Sequence, residues 1–151
     1  MKITLTEKDI SKARDFAFEL VRKGKKGTFE NYFIGTLGEI AYAKFAKLKV
    51  NLEVYDRGVG DGGADFKNVQ VKTVGWSGPN KILKVSLKDR SLTNENINKF
   101  VLAHAKVTNP TEVQLVGEIS REEFLKKCLH SDIWKSKVIS EKYLHDVNES
   151  S

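Results

Sequence analysis

Glu39, Asp65, Gln70 and Lys72 are the side chains of this sequence best equipped for chemistry. They fall in two segments, Gly35-Thr-Leu-Gly-Glu39-Ile-Ala41 and Ala64-Asp65-Phe-Lys-Asn-Val-Gln70-Val-Lys72-Thr73. Two carboxylates and a further oxygen donor suit a hard divalent cation, and a lysine beside them suits a developing negative charge. Together they are what metal-assisted hydrolysis of a phosphodiester requires.

Local sequence says how these groups are positioned. Phe66 and Val69 flank Lys67-Asn68, a two-residue turn signal, because Asn tolerates the positive φ of tight hairpins. If Phe66 opposes Val69, Asp65 opposes Gln70, and opposed residues of an antiparallel pair share a face. Gln70 and Lys72 are two apart and share it too. Val69, Val71 and Val74 supply apolar contacts, mostly on the other face. Glu39 lies on a helix expected over about 31–47, whose core stripe is Ile34, Ala41, Phe45 and Leu48. Its neighbours at helical spacing include Gly35, Thr36 and Ala43, small residues that allow a sheet or a ligand to come close.

A helix with an acidic residue, a strand with Asp and a strand with (D/E)-x-K form the pattern of the PD-(D/E)xK nuclease superfamily, and this chain resembles it over about residues 30–126. Glu39, Asp65 and Gln70-Val71-Lys72 occupy the matching places, and Glu112–Phe124 is similar to the closing strand and helix of many members. One departure is that Gln70 stands where the pattern has an acid. A neutral carbonyl replaces a carboxylate, so the site holds one negative charge less and binds its cation more weakly. Asp61 is the secondary candidate to compensate.

The resemblance implies a restriction-endonuclease-like fold and a Mg²⁺-dependent DNA nuclease, an endonuclease in expectation, with Mn²⁺ as a substitute ion. It assigns Asp65 as principal ligand, Gln70 and the backbone carbonyl of Val71 as completing ligands, Glu39 as a further ligand or water-mediated contact, and Lys72 as the group that stabilises charge on phosphorus. Glu39, Asp65, Gln70 and Lys72 are then the catalytic set. The alternative is a non-catalytic nucleic-acid-binding module on the same fold, which Gln70 favours.

Composition agrees with a nucleic-acid partner. The formal charge is +6 over 151 residues, with pI near 9.3. The first fifty residues carry 11 basic and 6 acidic side chains, and the last third is slightly acidic. A polyanion is drawn to such a surface. Lys23, Lys25 and Lys26 in a Gly-containing loop, Lys81 and Lys84 around a strand, and Trp76, an aromatic able to stack on a base, are the expected DNA contacts. DNA is the expected partner, and assembly into a homodimer is left open. Cys128 is the only cysteine, so no internal disulfide can form. With no signal-like or membrane-spanning apolar run, an intracellular, cytoplasmic setting is expected.

Along the chain, Thr6 and Asp9 form a capping-box signal before the stripe Ile10, Ala13, Phe16, Ala17, Leu20 and Val21, and Gly24 is a stop. Strands are expected at 50–55, 82–87, 100–107 and 112–119 besides the hairpin, with the turn Asn109-Pro110 between the last two. Residues 58–63 form a glycine-rich loop delivering Asp65, and residues 89–98 an exposed polar connection. Ser120 and Glu123 open a helix through about Leu129, short elements surround Trp134, and 147–151 is a frayed tail. The whole reads as one α+β domain, a mixed, mostly antiparallel sheet of about five strands flanked by helices.

Overall fold

Two capped helices follow a short first strand. The computed structural model describes residues 1–50, 52 and 66–148. Strand β1 (Lys2–Thr4) leads to α1 (Glu7–Arg22). Thr6 Oγ1 accepts from the Asp9 amide at 3.1 Å, and the Asp9 carboxylate accepts from the Thr6 amide at 2.9 Å, completing the expected capping box. Gly24, at φ 73°, supplies the left-handed turn that ends the helix. Thr28 caps α2 (Phe29–Ala46) by accepting from the Asn31 amide. The helix therefore starts two residues before the expected Asn31, and Asn31 sits in its first turn. Lys47 ends it in the left-handed region at φ 57°.

The strands that follow are β2 (Val69–Val74), β3 (Ile82–Ser86), β4 (Lys99–Lys106) and β5 (Asn109–Ser120). Helix α3 (Arg121–Lys127) and strands β6 (Leu129–Ser131) and β7 (Ser136–Ser140) close the chain. They make two sheets rather than one of about five strands. The first has the order β1-β5-β4-β2, with β2 parallel to β4 and the other pairs antiparallel. The second, antiparallel throughout, has the order β3-β7-β6. The architecture is α+β with open sheets.

Alternation along β2 and β4 divides the core in two. Val69, Val71, Val101 and Ala103 face α1 and α2, where Leu37 and Ala41 are fully buried. Phe100 and Leu102 face the second sheet and α3, against Leu83, Val85, Phe124 and Ile139. The Phe100 and Phe124 rings lie 4.9 Å apart. Val74 packs with this second cluster, not with Val69 and Val71 as expected, because it is an odd number of residues from both.

Other expectations are corrected. The β4–β5 turn is Val107-Thr108, and Asn109 already pairs with Lys106. Pro110 is tolerated there because the pairing with β1 starts only at Glu112. The connection 89–98 is not simply exposed. It holds a 3-10 turn at Arg90–Leu92, and Ser91 and Ile97 are buried. The Arg121 guanidinium ties it down by donating to the Ser91 and Leu92 carbonyls at 3.1 and 2.6 Å. The last helix stops at Lys127, and Leu129 begins a strand instead. Val147 packs on the first core and the Asn148 amide donates to Glu118 Oε1 at 2.8 Å, so the start of the tail is held. The strand expected at 50–55 falls mostly, and the loop at 58–63 entirely, outside the described residues. No helix among the described residues is long and apolar enough to cross a membrane.

Candidate functional site

The expected hairpin turn is present. Phe66 and Val69 exchange backbone hydrogen bonds of 3.1 and 3.3 Å around Lys67-Asn68, and the Asn98 amide fixes the turn by donating to the Asn68 carbonyl at 2.7 Å. Strand β2 leaves this turn and forms one edge of the first sheet among the described residues. Gln70 and Lys72 then share one face, in register with Phe100 and Leu102 of β4.

Gln70 is only 7% exposed, and its Oε1 has no hydrogen-bond partner among the described residues. An unpaired buried carbonyl costs about 1–3 kcal/mol, so this oxygen is poised to accept from a donor or a cation. Val71 is buried on the opposite face, in the first core. The Lys72 ammonium donates to Asp89 Oδ2. Asp89 Oδ1 in turn accepts from the Ser91 amide at 2.9 Å and the Ser91 hydroxyl at 2.6 Å. Burial pushes the Asp89 carboxyl upward, but the Lys72 charge and the hydrogen bonds from Lys72 and Ser91 outweigh it and hold the group below its ordinary value.

Asp89 is the residue that sequence reasoning missed. Its signal was weak: an Asp two residues before a Ser reads as an ordinary turn. Nothing local connects it to Lys72, 17 residues earlier.

Glu39 comes from α2, the helix that covers the face opposite to Gln70 and Lys72. It is half-buried and not free of partners. It follows Gly38, and Gly38 explains how close α2 lies to β2. A Cβ built at Gly38 would stand 1.9 Å from Thr73 Oγ1, so only glycine allows the helix to press on this strand. The small-residue face read from the sequence held Gly35, Thr36 and Ala43 rather than Gly38, and a Cβ at Gly35 would meet no described atom within 4 Å.

Asp65, the expected principal ligand, and Asp61 lie outside the described residues. Of the expected acidic ligands only Glu39 is described, and among the described residues no three His, Cys, Asp or Glu side chains cluster as a metal site.

The expected DNA contacts form two groups. Lys23 and Lys26 are exposed and Lys25 half-exposed between α1 and α2. Trp76, Ile82 and Lys84 line a groove of about 400 Å³ together with Val74 and Trp134. Lys81 precedes β3, and its ammonium donates to the Gly78 carbonyl at 3.4 Å. Trp134 was read from the sequence only as the centre of a short element. No family model, curated protein or solved structure matches this chain.

Proposed function

We propose that this chain is a metal-dependent nuclease that hydrolyses DNA phosphodiesters, with a restriction-endonuclease-like core of the PD-(D/E)xK kind. One observation carries the reading: Gln70 presents an unpartnered buried carbonyl on the same strand face as Lys72, directly after the tight turn that follows Asp65. Such an orphaned oxygen fits a hard cation. Asp65, Gln70 and the Val71 carbonyl would hold Mg²⁺ or Mn²⁺, with Glu39 as a further ligand and Asp61 in reserve. When bound, the ion supplies a Lewis acid for attack on phosphorus. Lys72 holds its positive charge toward the phosphate oxygens, where charge develops in the transition state. Asp89, itself oriented by Ser91, fixes the Lys72 ammonium. The basic loop at Lys23, Lys25 and Lys26, between α1 and α2, would attract the polyanion.

Incubation with linear, circular, single-stranded and branched DNA in Mg²⁺, Mn²⁺ or EDTA tests the reading. Cleavage that needs the metal is expected. Absence of cleavage on every substrate with both metals would reject it.

A second reading has its own support. Gln70 lacks the charge of an acidic ligand, and the Lys72 charge is already met by Asp89. Salt-sensitive DNA binding without cleavage would assign the chain as a non-catalytic binding module instead.

A further inference from the structure

The sequence holds two tryptophans, and both line one groove. Trp76 is 58% exposed and Trp134 50% exposed. Neither indole is paired with another ring among the described residues. Large apolar rings left in water around one groove mark a contact surface.

The ring positions are built rather than incidental. Trp76 lies against Gly78, where a Cβ would stand 2.2 Å from the indole. Trp134 sits in the β6–β7 turn, with its amide donating to Ser131 Oγ at 3.2 Å and its carbonyl accepting from Ser136 Oγ at 2.8 Å. Val74 and Ile82 supply the apolar remainder. The only charged side chain of the lining among the described residues is Lys84, whose ammonium is 5.4 Å from the Trp134 ring centroid. Among the described residues no carboxylate lines the groove.

Its place matters as much as its chemistry. Val74 lies on the same strand face as Gln70 and Lys72, two residues beyond Lys72, which is about 7 Å along the strand. A ligand moiety held here is therefore a near neighbour of a phosphate at Lys72.

We infer that the groove between Trp76 and Trp134 is a stacking subsite for an unpaired nucleobase, so that the preferred substrate carries a single-stranded segment beside the scissile phosphate. This deepens the proposed function and rests on its nucleic-acid reading. A base offers a planar π-face to the indoles, and its backbone offers negative charge to Lys84. Bases inside a duplex are already stacked and reach such a groove only after extrusion.

Tryptophan emission, excited at the red edge where tyrosine does not absorb, reports on this groove alone, because both tryptophans of the chain line it. The protein is titrated in EDTA, which blocks metal-dependent cleavage, with oligothymidylate, with a blunt duplex of equal length and with an abasic strand. Oligothymidylate is expected to quench emission, and the duplex and abasic strand to quench little. Trp76→Ala and Trp134→Ala should each weaken oligothymidylate binding by about tenfold, within the usual worth of one base–aromatic stack. Trp76→Phe, which keeps a stacking face, should retain most of the affinity. Gly78→Ala, which drives the Trp76 ring from its place, should mimic Trp76→Ala. Circular dichroism confirms that each variant is folded.

Equal quenching by the three ligands, or wild-type affinity in both alanine variants, overturns the subsite. A protein that cleaves DNA with Mg²⁺ but shows no quenching loses the subsite and keeps the nuclease reading. Quenching in a protein that cleaves nothing leaves the subsite standing and removes the nuclease. Neither quenching nor cleavage removes both.

Discussion

Lys72, on β2, and Asp89 form a half-buried ion pair, with side-chain exposures of 25% and 13%. Asp89 arrives from the far end of β3 and is held by Ser91, so the pair joins the candidate site to the second sheet.

Asp89→Asn should cost about 1–3 kcal/mol of stability, because it leaves the Lys72 ammonium without its charged acceptor. The sign with pH follows from the Asp89 carboxyl being held below its ordinary value. Its contribution is fully present above the unfolded carboxyl pKa, about 3.9, and is lost as pH falls through the lower folded value. Urea denaturation should therefore separate wild type from Asp89→Asn at pH 5–8 and show them converging below about pH 4. A gap that persists unchanged into acid would mean that the charge of Asp89 contributes nothing.

Gly38→Ala should destabilise the fold by about 1–3 kcal/mol, since the new methyl meets Thr73 Oγ1 and forces α2 off β2. Thr73 Oγ1 has no hydrogen-bond partner among the described residues, so Thr73→Ala alone should cost little. The double variant should recover part of the loss, and a double-mutant cycle measures the coupling. Strict additivity would show that the two residues do not meet.

Much of this geometry was legible in the sequence, for local reasons. The Thr6–Asp9 box, the Lys67-Asn68 turn and the Ser120 cap are each decided within four residues, and each is present. The shared face of Gln70 and Lys72 follows from strand alternation alone. What escaped is non-local. Splitting the strands into two sheets depends on β6 and β7, of three and five residues, too short for periodicity to register. The Lys72–Asp89 pair, the closeness of Gly38 to Thr73 and the placing of Trp76 and Trp134 on one groove all join segments distant in sequence. No local pattern encodes them.

Lys72→Ala should lower the single-turnover cleavage rate by on the order of 10²–10³, with a smaller effect on DNA affinity, if its charge acts on the transition state. Asp65→Ala should abolish cleavage. Asp89→Asn is the control, because it breaks the same ion pair and keeps the lysine. Weakened binding with an unchanged single-turnover rate in Lys72→Ala would reduce Lys72 to a phosphate contact.

Neutralising Lys23, Lys25 and Lys26 together should flatten the salt dependence of duplex binding. Each phosphate contact contributes about −0.9 to the slope of log K against log salt. Binding isotherms between low and moderate salt read the slope directly. An unchanged slope would place the loop away from DNA.

Gln70→Glu should bind divalent ions more tightly and, without them, be less stable than wild type. Both effects have one cause. A carboxylate at this buried position attracts a divalent cation far more than a neutral carbonyl does, and water exclusion amplifies the difference. The same exclusion penalises the carboxylate when no cation offsets its charge, although Lys72 on the same strand face offsets part of that cost. Ion binding to the folded state raises the melting temperature in proportion to RT ln(1 + [L]/Kd). Thermal melts against Mg²⁺ or Mn²⁺ concentration should start lower for Gln70→Glu and climb more steeply than for wild type. Asp65→Ala should not respond to the metal at all. If Gln70→Glu and wild type climb alike while Asp65→Ala stays flat, the ion is held without Gln70, and its buried oxygen serves some other donor.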